Sequence, residues 1–143
     1  MRALRRLAEL DRSERALLAR AVLWVLGARL GLTLVPYPRL QRLLDGASLR
    51  PRRPAPVAAE RVRWAVTAAA RRVPGTRCLA WALAFRGLLG QAGIPSDLRI
   101  GVAKADDGGL KAHAWVDCEG RSFSWGDDVS GYAVLRSQIA GEP

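Results

Sequence analysis

Apolar positions recur at helical spacing through the first part of the chain and alternate with polar ones in the last part. Asp11-Arg12-Ser13-Glu14 has the form of a helix start, with Asp11 as cap and Glu14 at the capping-box position. Leu17, Leu18, Ala21, Leu23, Trp24, Val25 and Leu26 follow so densely that they predict a helix buried on most of its circumference. Arg20 and Arg29 would mark its wetter face. A core helix fits this pattern, and so does an interfacial helix whose Arg side chains meet anionic lipid. Pro36 and Pro38 are expected to end it, and residues 40–44 to form a short helical turn. Pro51, Pro54 and Pro56 then make a stiff, basic connection. Residues 57–72 read as another helix, with Val62, Val66 and Ala69 or Ala70 along one face, stopped at Val73-Pro74-Gly75.

After Gly75 the pattern changes. Residues 78–90 are strongly helical, with Leu79, Leu83, Leu88 and Leu89 near helical spacing and Gly93 placed to close the helix. Residues 97–102 alternate polar and apolar, as a strand does. A loop at 104–109 leads to strands at 112–118 and 121–125, joined in a hairpin at Glu119-Gly120. Helices followed by an antiparallel sheet predict an α+β layout, in which a helix packs on one face of the sheet.

Composition narrows the class. The 143 residues are 50% hydrophobic and 25% charged, which is too apolar for a disordered tail and too charged for a polytopic membrane protein. Two Cys are too few for a disulfide-stapled module. No secretory signal with a cleavage site is legible, and the longest uncharged apolar run, 21–28, is short for a membrane span of about 20 residues. The net charge is +10. Residues 1–75 hold 16 Arg against 5 acids, whereas residues 76–143 hold 5 Arg and 2 Lys against 8 acids, so the basic excess belongs entirely to the first part. Single-strand binders interleave basic residues with exposed aromatics. Here only Trp24 and Tyr37 fall in the first 60 residues, and the chain is not expected to bind nucleic acid.

The candidate chemistry is sparse. His113 is the only His, and Cys78 and Cys118 are the only Cys. Cys78 follows the Pro-Gly break and opens a predicted helix, where free N–H groups and the helix dipole stabilise a thiolate. His113 begins a strand expected to run alongside. A Cys nucleophile with a His base, itself oriented by an acid, is the thiol version of the triad. Asp127 or Asp128 could orient His113. Asp117 lies four residues along one strand from His113, roughly 13 Å away, too far to bond the imidazole. Cys118 sits inside a strand with no helix start. Ligand-pair spacing for a metal is absent.

Several short motifs occur in order: Pro74-Gly75-Thr76-Arg77-Cys78-Leu79-Ala80-Trp81, Leu88-Leu89, Gly93-Ile94-Pro95, Leu98-Arg99-Ile100-Gly101-Val102, and Ala112-His113-Ala114-Trp115-Val116 with Gly120. Together they resemble the leader peptidases of lasso-peptide biosynthesis, members of the transglutaminase-like superfamily with a papain-like core. The resemblance covers about residues 57–135, and Pro36-Tyr37-Pro38 with the Leu-rich helix resembles the family's N-terminal segment. It implies a basic helical region for partner docking, residues 1–56, and a cysteine peptidase core, residues 57–143.

The implied activity is removal of the leader from a ribosomally made precursor peptide. It is carried out in the cytoplasm with a separate leader-recognition protein, before an ATP-dependent cyclase closes the ring. No cofactor or metal is implied. By position, Cys78 is the nucleophile and His113 the general base. The family usually places an Asp about 12 residues after the His, where this chain has Trp125. Asp127 keeps the same strand face as Trp125 and is the expected third member, whereas Asp128 would need a bulge. The Cys78 N–H is one expected oxyanion donor, and a side chain near Thr76 or Trp81 is a candidate for the second. A catalytically impaired scaffold of the same fold is the alternative, and amide cross-linking by the same triad is another outcome. The basic region is expected to dock an acidic partner surface or to rest on anionic membrane as a peripheral contact.

Overall fold

In the computed structural model, residues 2–48, 58–126 and 129–139 are described. Asp11 caps the longest helix as its sequence requires. Its carboxylate accepts from the Glu14 N–H at 2.8 Å, and the Glu14 carboxylate accepts in return from the Asp11 N–H at 3.1 Å. Among the described residues five helices precede the sheet: α1 (Arg2–Glu9), α2 (Arg12–Leu34), α3 (Tyr37–Ser48), α4 (Ala59–Arg72) and α5 (Cys78–Gln91). The strands are β1 (Asp97–Lys104), β2 (Leu110–Cys118), β3 (Arg121–Phe123) and β4 (Ala133–Ile139), in the order β3-β2-β1-β4 with antiparallel neighbours. The fold is the expected α+β.

Helix α5 is apolar around nearly all of its circumference, and even its one charged residue, Arg86, is buried, the mark of a helix that must be covered all round. Trp81, Phe85, Leu88 and Leu89 on it are fully buried. The side chains of Leu98, Ala114, Val116, Cys118 and Phe123 from one face of the sheet join its core cluster, which also takes in α2, α3 and α4. Phe85 on α5 meets Phe123 on β3 with ring centroids 5.3 Å apart. On the other side α2 offers a small-residue face, Leu17, Ala21, Val25 and Ala28. Gly87 lets the helices close: a Cβ there would lie 2.4 Å from the Trp24 ring. Trp24 and Arg20 both donate to the Gln91 side chain, at 3.3 and 2.7 Å.

Several local expectations need correction. Helix α2 is not buried on most of its circumference, because its neighbours cover one side only: Leu23 is 68% exposed, Leu30 50% and Leu34 76%. By length and composition alone it could also cross a membrane, since an 18-residue window reaches a mean hydropathy of 1.6 once its Arg residues are tolerated. Arg20 and Arg29 are half-buried against the protein and do not mark a wet face. Pro38 does not end α2. It sits in the first turn of α3, where a missing N–H costs nothing, and the expected short turn is a 12-residue helix. The basic N-terminal segment forms α1, tied on by Arg15, which donates to the Leu10 and Ala8 carbonyls. Strand β3 stops at Phe123, and β4 pairs with β1 across a register shift at Ile100/Gly101. The hairpin turn at Glu119-Gly120 is as expected, with φ of 53° and 74°. The 51–56 connection and the division between 56 and 57 lie outside the described residues.

Two ion pairs join layers of the fold. Glu14 on α2 meets Arg61 on α4, and Glu60 on α4 meets Arg121 on β3. The Arg61 hydrogen bond, aided by the Asp11 N–H, holds the Glu14 carboxyl below its ordinary 4.5, and the Arg121 hydrogen bond does the same for Glu60. A carboxylate depressed in the fold stabilises it above the ordinary value, and that contribution fades as pH falls through the lower folded value. Glu14→Gln should therefore lower Tm near neutral pH, and the gap to wild type should close below pH 4.5. Thermal melts across that range check this, and a pH-independent gap would contradict it.

Candidate active site

The start of α5 is built by the break before it. Helix α4 ends at Val73, and Gly75 adopts φ +77°, a conformation that side chains disfavour. A Cβ at Gly75 would also lie 2.5 Å from Nη2 of Arg29, whose guanidinium reaches across from α2. The Thr76 hydroxyl closes the turn by donating to the Val73 carbonyl at 2.8 Å. Arg77 is the N-cap of α5 but supplies no side-chain cap hydrogen bond. Cys78 is thus the first residue of a helix whose leading N–H groups have no side-chain acceptor from their cap. Its side chain is half-buried at the edge of the core.

Around the expected second oxyanion donor, the Thr76 and Trp81 side chains are themselves engaged. The Trp81 indole N–H donates to Thr67 Oγ1 at 3.1 Å inside the core, and the Thr76 hydroxyl is committed to Val73. Backbone N–H groups at the α5 start remain as donors.

His113 lies on β2 opposite Gly101 of β1 and is only 6% exposed. Its ring stands 6.3 Å from that of Trp115 and 5.4 Å from that of Tyr132, centroid to centroid. Gly101 makes room for this aromatic group, since a Cβ there would lie 2.7 Å from Trp115. Tyr132 belongs to the segment leading into β4 and carried no periodic signal that would single it out. Lys111 caps the group, with Nζ 5.5 Å from the Tyr132 centroid. Asp117 is engaged elsewhere, accepting from Arg99 Nε at 2.8 Å and from the Ser122 hydroxyl at 2.6 Å.

Strand alternation decides which way these residues face. Ala114, Val116 and Cys118 point into the cluster around α5. His113, Trp115 and Asp117 therefore point to the opposite side of β2. Cys78 and His113 stand on elements that pack together, but His113 leaves its strand on the face turned away from the residues that meet α5. Asp127 and Asp128 lie outside the described residues. Trp125, at the family's usual Asp position, is half-buried against the core.

Among the described residues, no three His, Cys, Asp or Glu side chains gather to hold a metal ion. The two thiols differ in setting: Cys118 is 3% exposed, and burial pushes its thiol up, with Glu119 adding to the effect. Iodoacetamide at neutral pH should label Cys78 and spare Cys118 until the protein is unfolded. Peptide mapping reads this directly, and equal labelling of both in the folded protein would contradict it.

No curated protein and no solved structure matches the chain. A family description does match, that of the transglutaminase-like superfamily, over residues 22–137. This span runs from within α2 to within β4 and takes in the Cys78 helix and the His113 strand. With the helix-on-sheet arrangement already established, the chain belongs to the transglutaminase-like superfamily.

Proposed function

We propose that the protein is a cysteine peptidase that removes the leader from a lasso-peptide precursor. The observation that carries this reading is Cys78 at the start of α5, with no cap side chain competing for the helix N–H groups, in a chain of the transglutaminase-like superfamily. In the proposed step, Cys78 passes its thiol proton to His113 and its Sγ attacks the scissile carbonyl carbon. Backbone N–H groups at the start of α5 meet the developing oxyanion. The C–N bond breaks, and His113 gives its proton to the leaving amine, which becomes the N-terminus of the core peptide. Water then hydrolyses the thioester, returning the thiol and releasing the leader carboxylate. Asp127 is assigned the role of orienting His113. A separate leader-recognition protein presents the precursor in the cytoplasm, and an ATP-dependent cyclase consumes the freed amine.

One observation favours a second reading, a scaffold of the same fold without peptidase activity: His113 faces away from the α5 side of β2. The two readings separate on one variant. With precursor and recognition protein supplied, Cys78→Ala should cut cleavage by about 10³-fold or more while keeping the wild-type melt. Mass spectrometry of the products measures it. Cleavage at the wild-type rate would overturn the peptidase reading.

A further inference from the structure

The stripe of α2 that faces away from the core is unusual for a surface helix. At 100° per residue, Leu23, Leu30 and Leu34 fall within a sector of about 40°, and Leu26 borders it. All four are exposed. They run for about 16 Å along the helix. The buried residues Ala21, Val25 and Ala28 lie on the opposite side of the same helix. Beside the stripe, a cavity of about 250 Å³ opens between α2, α3 and the end of α5, lined by Leu23, Trp24, Gly27, Leu44 and Gln91. Leu43 on α3 adds another exposed aliphatic side chain, 64% accessible.

Charge frames this apolar face. Arg12 lies on the line of the stripe at its N-terminal end, with Arg15 beside it, and Arg39 and Arg42 stand on α3; all four are exposed. Residues 1–48 hold nine Arg against four acids. Of those acids, Glu14 is on the far side of α2 from the stripe and is paired with Arg61, Asp11 is spent on the helix cap, Glu9 is exposed at the end of α1, and Asp45 belongs to α3. The face is thus aliphatic at the centre and positive at the ends.

We infer that the exposed face of α2 and α3 is a peripheral docking surface for an anionic lipid bilayer, with α2 lying in the membrane plane. A leucine stripe flanked by Arg matches the divide between acyl chains and acidic headgroups. Protein docking sites, by contrast, centre on Trp, Tyr and Arg, with Leu under-represented. The helix does not span in this arrangement. Its inner face belongs to the core that covers α5, and crossing the bilayer would strip that core open. Trp24 stands at the boundary, with its ring against Gly87 and its indole N–H on Gln91, as an aromatic with one apolar side and one polar tip does at a membrane interface.

Sedimentation of the full chain with lipid vesicles tests this independently of any peptidase activity. Vesicles of phosphatidylcholine containing about one-third phosphatidylglycerol should bind it, pure phosphatidylcholine vesicles should bind it poorly, and raising salt from about 0.1 M to about 1 M should release it. A Leu23→Gln, Leu30→Gln, Leu34→Gln variant should lose at least about tenfold in partitioning, since burying a single leucine is worth about that factor. Its melting temperature should stay at the wild-type value, because these side chains are exposed. Arg12→Glu with Arg39→Glu should weaken binding to anionic vesicles and leave the fold intact. Failure to bind anionic vesicles, equal binding to both vesicle types, or full binding by the leucine variant would each overturn the inference. Light scattering without lipid supplies one more outcome. A wild-type dimer that the leucine variant turns into a monomer would assign the face to a second copy of the chain instead.

Discussion

Everything in this structure follows from the need to cover α5. A helix with Trp81, Phe85, Leu88 and Leu89 fully buried cannot face water on any side. The sheet supplies one wall through Leu98, Ala114, Val116, Cys118 and Phe123, and α2, α3 and α4 supply the others. Burying a large apolar side chain contributes about 1.5–3 kcal/mol, so these few residues outweigh any surface ion pair in the chain. The same constraint fixes where the helix begins. Because its body is locked in the core, its first turn is held firmly at the edge, and Cys78 is presented there by a rigid element.

The division of labour between the two parts of the chain is physical as well as compositional. The helical part carries the positive charge and spends some of it holding the layers together, through Arg61 on Glu14. The sheet is electrically ordinary and carries the polar cluster Arg99, Asp117 and Ser122 on the face shared with His113. What the helical part does not use for cohesion it leaves outside, as the Leu stripe of α2 with Arg at its ends.

Much of this was legible in the sequence, and the exceptions have identifiable causes. The capping box at Asp11, the helix from Cys78 and the Glu119-Gly120 hairpin are local features, set by residues within a turn of one another, and they appear where the pattern puts them. Burial is not local. Leu23 and Leu26 look the same in sequence as Leu17, yet of the three only Leu17 is buried in the core. Arg20 reads as a solvent residue until Gln91, distant in sequence, is placed beside it. Strand β4 has little alternation of its own and depends on pairing with β1. At the site, the position of Cys78 was readable from Pro74-Gly75 ahead of it. The face taken by His113 was not, because it depends on which side of β2 the helix packs. The ring of Tyr132 beside it likewise comes from a segment with no periodic pattern.

The proposed peptidase chemistry requires Cys78 and His113 to work as one unit, although His113 leaves β2 on the face turned away from α5. The most direct measurement is the rate of Cys78 alkylation by iodoacetamide as a function of pH, in wild type and in His113→Ala. Losing the imidazole should slow alkylation near neutral pH by about tenfold and leave the rate at high pH unchanged. Superimposable profiles would show that His113 does not act on Cys78 and would contradict the account.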